Sequence, residues 1–209
     1  MKKISYAIPV CNELKEIQKL LGFLLENKNK EDEIVILYDI KNGTEEVENF
    51  LDHYTKDNFN WFKLEKSPFN GHFANMKNKL TELCSGDYIF QIDADEMISK
   101  WCLENLGMVL QHNPIDVLLV PRINTVEGLT QQHINKWGWK VDNKGRVNFP
   151  DFQFRIYKNT SNINWKNKVH EVLQGYETIS ELPLEEPWCL IHEKTIERQE
   201  KQNNYYNTL

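Results

Sequence analysis

Residues 87–96 read DYIFQIDADE, an apolar run that ends in three acids within four residues. A continuous apolar run of this kind is typical of a strand that is covered on both faces. Carboxylates at this spacing repel one another, and holding them at the edge of a core is costly unless a cation compensates. A divalent metal that carries a phosphate-bearing substrate would provide that compensation. A solvated acidic turn after a strand is the alternative interpretation.

Strand and helix patterns alternate on both sides of this segment. Apolar runs predict strands at residues 4–8, 33–37, 60–64 and 117–120. Helical periods between them predict helices that begin near Asn12, Thr44, Pro68 and Ser99. This alternation is typical of an α/β fold with a Rossmann-type, mostly parallel sheet flanked by helices. Residues 152–157 instead alternate like an antiparallel strand, and residues 195–209 have the composition of a polar helix.

Composition excludes several classes of protein. The 209 residues suffice for one large domain, and a formal net charge of −6 gives no footprint for non-specific nucleic-acid binding. Four cysteines are scattered without a CxxC pair, which indicates reduced thiols in a cytoplasmic protein. No stretch approaches the ~20 apolar residues of a membrane span, so we expect a soluble protein. The sequence does not indicate an oligomeric state.

Polar side chains follow three of the predicted strands. Asn12 and Glu13 follow the first strand, Asp39 follows the second, and Asp93 and Asp95 end the acidic segment. Because ligands of open parallel sheets bind beyond the carboxyl ends of the strands, we expect these groups to converge. The sequence contains no G-x-G-x-x-G, no P-loop and no EF-hand turn glycine after the acids. A dinucleotide site, a P-loop and a calcium loop are therefore excluded.

The chain resembles family 2 glycosyltransferases with the GT-A fold over nearly its whole length. The segments that carry the resemblance occur in this order: IPVCNE (8–13), MKN (76–78), GDYI (86–89), IDADE (92–96), RIYKN (155–159) and VHE (169–171). It is most similar to small stand-alone members of bacteria and tailed bacteriophages, and a phage-encoded protein would work in the host cytoplasm.

The resemblance implies an activity and a domain organisation. The activity is inverting transfer of a sugar from a nucleotide-diphosphate sugar, with a UDP-sugar the first choice, to an acceptor hydroxyl. The organisation is a single GT-A domain. Residues 1–121 would form its nucleotide-sugar-binding half, residues 122–194 a smaller, antiparallel acceptor-side half, and residues 195–209 a C-terminal helix.

Roles on the donor side also follow from the resemblance. Asp95 would ligate Mn²⁺ or Mg²⁺ on the donor diphosphate, and Asp93 would face the ribose or a metal-bound water. His192 would complete the metal shell, or is a structural histidine. Asp39 would recognise the nucleobase, although the run after it departs from the family's usual acid-Gly-Ser. The implied nucleotide-sugar set is Pro9, Asn12, Glu13, Asp39, Lys77 and Asp93, with Lys77 standing where the family more often has arginine.

An inverting transfer needs a general base that takes the proton from the acceptor hydroxyl. Asp151 is our candidate, because it precedes the strand that ends at Arg155, where the family often places its catalytic acid. Glu171 is the rival, and Glu96 is a weaker one. A structural ion pair with Arg155 is the alternative role for Asp151.

The acceptor is the part of the reaction on which the sequence is least informative. Trp137 and Trp139 offer flat faces to a sugar or a base, or else they pin an irregular loop to the core. They lie in a basic and aromatic cluster at residues 136–146. A cell-surface glycan and a hydroxymethylated pyrimidine in phage DNA both stay open as acceptors. The competing functions are a non-catalytic nucleotide-sugar or carbohydrate-binding module, and a nucleotidyltransferase, which generally needs a glycine-rich basic loop that residues 9–13 do not supply.

Overall fold

The computed structural model of the protein describes residues 1–56 and 60–206. The helices are α1 (Leu14–Asn27), α2 (Glu45–Thr55), α3 (Phe73–Glu82), α4 (Lys100–His112), α5 (Gln131–Trp137) and α6 (Ile196–Tyr206). The strands are β1 (Ile4–Val10), β2 (Glu33–Asp39), β3 (Phe62–Ser67), β4 (Tyr88–Gln91), β5 (Glu96–Met97), β6 (Val117–Glu127), β7 (Val147–Lys158), β8 (Asn164–Lys166), β9 (Val172–Gln174), β10 (Ile179–Glu181) and β11 (Leu190–Thr195). Among the described residues, no helix has the length and apolar character needed to cross a bilayer.

One nine-stranded sheet organises the chain, in the order β3-β2-β1-β4-β7-β6-β11-β5, with β10 paired to β6. β1 is parallel to both β2 and β4, and β3 extends the parallel half along β2. β7 is antiparallel to β4 on one side and to β6 on the other. The β8-β9 hairpin forms a separate small sheet. The predicted α/β class, a GT-A-like, mostly parallel sheet with an antiparallel subregion, is confirmed.

The central strands bury side chains on both faces, as continuous apolar runs predict. Tyr6 and Ile8 of β1 belong to a core that includes α1, α2 and α4. Ala7 belongs to a second core, on the opposite face, that includes α3 and Trp165 of the β8-β9 hairpin. Because helices cover both faces, polar ligand-binding side chains are left to the carboxyl edge of the sheet.

The start of α1 differs from the prediction of an Asn12 cap. The helix begins at Leu14, and Glu13 occupies the N-cap position without a side-chain capping bond. The Glu13 carboxylate instead accepts the backbone N–H groups of Cys11 and Asn12, at 2.9 and 3.0 Å. Those bonds hold the turn after β1 in place. The Thr44 cap of α2 is confirmed by its bond from the Val47 N–H.

Other boundaries also differ from the predictions. The third strand covers Phe62–Ser67 rather than 60–64. Residues 122–150, predicted to be rich in turns, contain the end of β6, the whole of α5 and the start of β7. Residues in this region have no alternating pattern of their own, but the long pairing between β6 and β7 holds them in strand conformation. The predicted tail helix at 195–209 is α6, and residues 207–209 lie outside the described residues.

Glu33 is an unusual buried acid at the start of β2, with its side chain 2% exposed. It accepts hydrogen bonds from Ser5 Oγ at 2.6 Å and from Ser85 N–H and Oγ at 2.5 and 2.8 Å, and Lys63 lies 3.3 Å away. Burial alone would raise the pKa of Glu33, but these partners lower it from 4.5 to about 2. The ionised Glu33 therefore stabilises the fold above pH 4.5, and the contribution is lost as the pH falls from 4.5 towards 2.

Replacing Glu33 by Gln is expected to lower the free energy of unfolding by roughly 2–3 kcal/mol at pH 7. Urea titrations of both proteins at pH 7 and pH 3 would measure this, and the difference should shrink at pH 3 because Glu33 is then protonated in the unfolded wild-type chain and folding must release that proton. Glu31→Gln, at an exposed neighbouring position, is the control for the change in charge. An equal difference at both pH values would contradict the assignment.

Candidate active site

Strand ends meet at the carboxyl edge of the sheet, as predicted. Cys11, after β1, has its Sγ 4.0 Å from Asp39 Oδ2 at the end of β2. The acidic turn after β4 contributes Asp95, which Arg198 of α6 links to Glu13 through contacts of 3.4 and 3.8 Å. The polar groups that follow β1, β2 and β4 therefore belong to one site.

A cleft of about 80 Å³ opens beside Asp39. The Asp39 side chain accepts hydrogen bonds from the N–H groups of Lys41 and Phe69, both at 2.9 Å, and from Asn42 Nδ2 at 2.6 Å. These bonds fix the carboxylate at the wall of the cleft and leave Oδ2 with capacity for a further donor. The lining also includes Asn70, Met76 and Lys79.

A chain of alternating charges runs beneath the acidic turn. Arg155 Nη2 lies 2.5 Å from Asp93 Oδ2 and 2.6 Å from Glu96 Oε1. Arg122 Nη1 lies 3.0 Å from the same Glu96 oxygen, and Arg122 Nη2 lies 2.8 Å from Asp151 Oδ2. Two guanidinium groups thus offset most of the charge of three carboxylates, which is the kind of compensation that acids this close require. Glu96 has no exposed surface, so its prediction as a weaker base is wrong.

Three side chains donate hydrogen bonds to the Asp151 carboxylate, which remains partly exposed. Its Oδ2 accepts from Arg122 Nε at 2.9 Å and from Asn124 Nδ2 at 2.8 Å, and its Oδ1 accepts from Gln153 Nε2 at 2.7 Å. The side chain is 24% exposed. Burial alone would raise the pKa of Asp151, but Arg122 and the hydrogen bonds hold that pKa below its ordinary value. The group is therefore an ionised, oriented carboxylate at neutral pH.

The structure corrects the partner of Asp151. Sequence reasoning offered Arg155, four residues along the same strand, whereas the ion pair is with Arg122 of β6. In the antiparallel pairing Arg122 lies directly opposite Asp151. Arg155 lies further along β7, where the strand pairs with β4, and it binds Asp93 and Glu96 there. Cross-strand neighbours are the natural partners in a sheet, and only the register reveals them.

His192 joins Asp151 to Asp95. Asn124 donates its Nδ2 to Asp151, so Asn124 Oδ1 is the atom that faces His192 Nδ1 at 2.8 Å and accepts its proton. The other nitrogen, Nε2, lies 3.1 Å from Asp95 Oδ2, at hydrogen-bond distance. A metal ion at this place would take the position of the proton between the two atoms, because an imidazole nitrogen and a carboxylate oxygen can both ligate a cation.

The donor set fits Mn²⁺ or Mg²⁺, with a limit on how many ligands the protein supplies. Carboxylate oxygen and imidazole nitrogen suit Mn²⁺, and Mg²⁺ is commonly held by one or two carboxylates plus substrate phosphates. Among residues 1–56 and 60–206, no three His, Cys, Asp or Glu side chains form a group that could hold a metal. Asp95 and His192 would therefore hold the ion together with a ligand. Asp93 is bound by Arg155, and its predicted place on the metal or the ribose stays a prediction.

Strand β11 and helix α6 each supply one cation that sequence reasoning missed. Arg198 Nη1 binds Glu16 Oε1 at 2.7 Å, while its Nη2 lies 3.4 Å from Asp95 Oδ2. Lys194, at the end of β11, donates to Gln202 Oε1 at 2.6 Å, and burial lowers the pKa of its ammonium. Burial alone would raise the pKa of Asp95, but His192, Lys194 and Arg198 hold it well below its ordinary range.

Glu171 and Lys77, predicted separately, are partners. Lys77 Nζ lies 3.2 Å from Glu171 Oε2 and 4.4 Å from the centre of the Trp165 ring. Both side chains are largely buried. Glu171 therefore neutralises Lys77 on the α3 side of the sheet. The predicted roles of Glu171 as a base and of Lys77 as a phosphate ligand stay predictions.

The remaining predicted residues occupy two places. Pro9 is half-buried at the end of β1 and Asn12 is exposed just after it, so both border the carboxyl edge. Trp137, at the end of α5, and Trp139 are half-buried, with ring centres 4.6 Å apart and planes inclined by 49°. His133 stacks on Trp137 at 5.2 Å. Their predicted roles towards donor and acceptor stay predictions.

Residues 5–175 match the sequence model described as Glycosyl transferase family 2. The chain belongs to this family. The match includes most of the parallel half and β7, and hence Asp39, Asp95 and Asp151. It confirms the resemblance and removes the nucleotidyltransferase alternative.

Several relatives share the fold. The poly(ribitol-phosphate) β-N-acetylglucosaminyltransferase TarP of Staphylococcus aureus (strain N315) is 24% identical over 121 residues, 57% of this chain and 36% of TarP. A crystal structure of S. aureus TarS 1-349 in complex with UDP has a TM-score of 0.64 at 18% identity, covering 92% of this chain and 60% of that one. The complex of TarS 1-349 with UDP-GlcNAc has a TM-score of 0.62 at 19% identity, covering 93% and 59%. The chain thus spans about a third of TarP and about three fifths of that TarS fragment.

Proposed function

We propose that the protein transfers a sugar from a UDP-sugar to an acceptor hydroxyl, with inversion at the anomeric carbon and with Mn²⁺ or Mg²⁺. One observation carries the proposal: a continuous series of contacts runs from Asp95 through His192 and Asn124 to Asp151. It joins the two atoms that would bind the metal to an oriented carboxylate. A protein that only binds nucleotide sugars has no need of that carboxylate, so we prefer a transferase to a binding module.

Asp95 and His192 would hold the metal. When bound, the metal would neutralise the charge that develops on the diphosphate as the glycosidic bond breaks. Asn124 keeps His192 in the tautomer whose Nε2 is free to ligate, which is the usual task of a partner to a metal-bound histidine. The protein therefore prepares its two ligands before the donor arrives.

Asp151 would act as the general base through Oδ1. Three donors bind Oδ2, namely two nitrogens of Arg122 and Asn124 Nδ2, whereas in the part of the chain that the structure describes Gln153 Nε2 is the one donor to Oδ1. Oδ1 thus has the lone pair that can take the acceptor proton. Arg122 keeps the group ionised, and the sheet fixes its direction. Glu171, paired with Lys77, is the less suitable base.

The cleft beside Asp39 would receive the nucleobase. Asp39 can accept an imide N–H through Oδ2, and Phe69 and Met76 offer apolar surface to a flat ring. TarS, which shares the fold, has been crystallised with UDP and with UDP-GlcNAc. We therefore take uracil as the base, with Pro9, Asn12 and Glu13 at the border of the nucleotide site.

The Trp137-Trp139 pair would bind the acceptor. Residue Val141 pairs with Val147, which lies opposite Asn124 of the site. Val147 is four residues before Asp151 on β7, roughly 13 Å at the rise of a strand. Lys136, Lys140 and Lys144 are exposed neighbours of the pair in sequence, and Lys136 Nζ lies 5.9 Å from the centre of the Trp137 ring. An aromatic face among cations suits an anionic glycan, and TarP is named for a ribitol-phosphate polymer.

The proposal predicts which donor the protein selects. In a panel of nucleotide-diphosphate sugars with Mn²⁺, we expect a UDP-sugar at saturation to raise the melting temperature by roughly 5–10 °C, because a ligand of the native state stabilises it by mass action. The same donor should release UDP when an acceptor is added. Omission of Mn²⁺ is the control. Stabilisation by no donor would contradict the proposed function.

The acceptor arm of the experiment compares two polymers. A polyol-phosphate or anionic cell-surface glycan should gain the mass of one sugar, whereas DNA that contains hydroxymethylcytosine should stay unchanged. Trp139→Ala should raise the acceptor concentration needed without changing donor binding. Transfer to the DNA alone would replace the glycan with the modified base as acceptor.

A further inference from the structure

Arg198 occupies a position that the proposed function does not explain. Its Nη2 lies 3.4 Å from Asp95 Oδ2, the same oxygen that faces His192 Nε2 at 3.1 Å. Its Nη1 binds Glu16 at 2.7 Å, and Glu13 Oε1 lies 3.8 Å from Nη2. The guanidinium therefore neutralises the carboxylate that would bind the metal, and Glu13, at the N-cap of α1, and Glu16, in its first turn, hold it there.

A metal ion and Arg198 cannot share this place without an intervening anion. A dication on Asp95 Oδ2 and His192 Nε2 would lie beside a guanidinium, with Lys194 nearby adding a third positive group. Glu13 and Glu16 offset only part of that charge. A diphosphate would resolve the conflict, because guanidinium groups bind phosphate oxygens in a bidentate manner.

Because of the position of α6, the Arg198 side chain would move only a short distance to change from Asp95 to a phosphate. The helix begins directly after β11, the strand that carries His192. At its first residue, Ile196 Cγ2 lies 3.1 Å from where a Cβ of Gly128 would be, so the helix start packs closely on the end of β6. With the helix start held in this way, rotation of one long side chain suffices to take Arg198 from Asp95 to a phosphate beside it.

We propose that Arg198 is a ligand of the donor diphosphate and that, before the donor arrives, it takes the place of the metal charge at Asp95. The inference rests on the proposed function. It follows that metal alone binds poorly, that nucleotide and metal bind together, and that Arg198 is one cause of this coupling. Removing the guanidinium should therefore move the two affinities in opposite directions.

Arg198→Ala tests this by calorimetry and by Mn²⁺ electron paramagnetic resonance. Mn²⁺ affinity without nucleotide should rise by about tenfold, and UDP affinity at saturating Mn²⁺ should fall by about tenfold, within the usual range of coupling between two sites. Arg198→Lys should keep the low metal affinity of the wild type, because it keeps the charge, but should bind UDP less tightly because it lacks the fork. Lys201→Ala, an exposed cation on the same helix, is the control.

The outcomes separate this inference from the proposed function. Unchanged affinities, or a parallel loss of both in folded Arg198→Ala protein, would refute the role of Arg198 while leaving a UDP-binding wild type intact. A wild type that binds no UDP with Mn²⁺ would refute both. Circular dichroism melts of each variant establish that the fold is retained.

Discussion

Asp95→Asn is expected to abolish metal-dependent nucleotide binding, with a loss of UDP affinity in Mn²⁺ of about 100-fold or more. The amide keeps the shape of the side chain but removes the negative charge that a dication requires, and a bound metal contributes several kcal/mol to charge stabilisation at a phosphate. With only two protein ligands in the proposed site, the loss of one leaves His192 alone. Calorimetric titration of UDP with and without Mn²⁺ measures the effect.

The control for this substitution must change the same charge elsewhere. Asp52→Asn serves, because Asp52 lies on α2, is 40% exposed and shares Lys66 with Glu48. We expect its UDP affinity to equal that of the wild type. If Asp95→Asn also bound UDP with unchanged affinity and unchanged dependence on Mn²⁺, the metal would not lie at Asp95, and the proposed use of His192 would fail with it.

The sequence was sufficient to predict that the polar groups after β1, β2 and β4 lie at one edge of the sheet, and their roles towards the donor stay predictions. Asp39 and Asp95 are found by position alone, because each ends a strand with a strong apolar signal and parallel strands bring such ends to one edge. His192 lies near Asp95, its predicted partner on the metal. Its position is set by the pairing of β11 with β6, which places His192 opposite Asn124. The positions of side chains at strand ends can therefore be predicted from the sequence once the strand order of the family is assumed.

Arg122, Asn124 and Arg198 could not be predicted in the same way. Arg122 and Asn124 meet Asp151 only through the register of β6 and β7, which contains an irregularity between those two residues. A shift of one residue would place a side chain on the other face of the sheet, and no local signal sets that shift. Arg198 lies on a helix without an apolar stripe, so the sequence does not indicate which face of the helix is turned to the site.

Asp151→Asn is expected to lower kcat by about 10³-fold while leaving UDP affinity in Mn²⁺ within about twofold of the wild type, because a positioned base contributes 10²–10⁴-fold and does not touch the donor. Through its oxygen asparagine still accepts from Arg122 and Asn124, and its amide nitrogen can donate to Gln153 once the Gln153 amide turns to present its oxygen, so the site loses a charge but keeps the side chain oriented. Single-turnover transfer measures the chemical step, and nucleotide titration measures the binding.

Glu171→Gln provides the matched comparison, since it makes the same kind of change at the rival acid. Its partner is Lys77, and loss of that ion pair would alter donor affinity before it altered proton transfer. We therefore expect a higher KM for the donor and a kcat close to that of the wild type. The reverse result, a large loss of kcat in Glu171→Gln beside a nearly normal Asp151→Asn, would move the base to the α3 side of the sheet. The oriented carboxylate on β7 would then have to be a structural partner of Arg122.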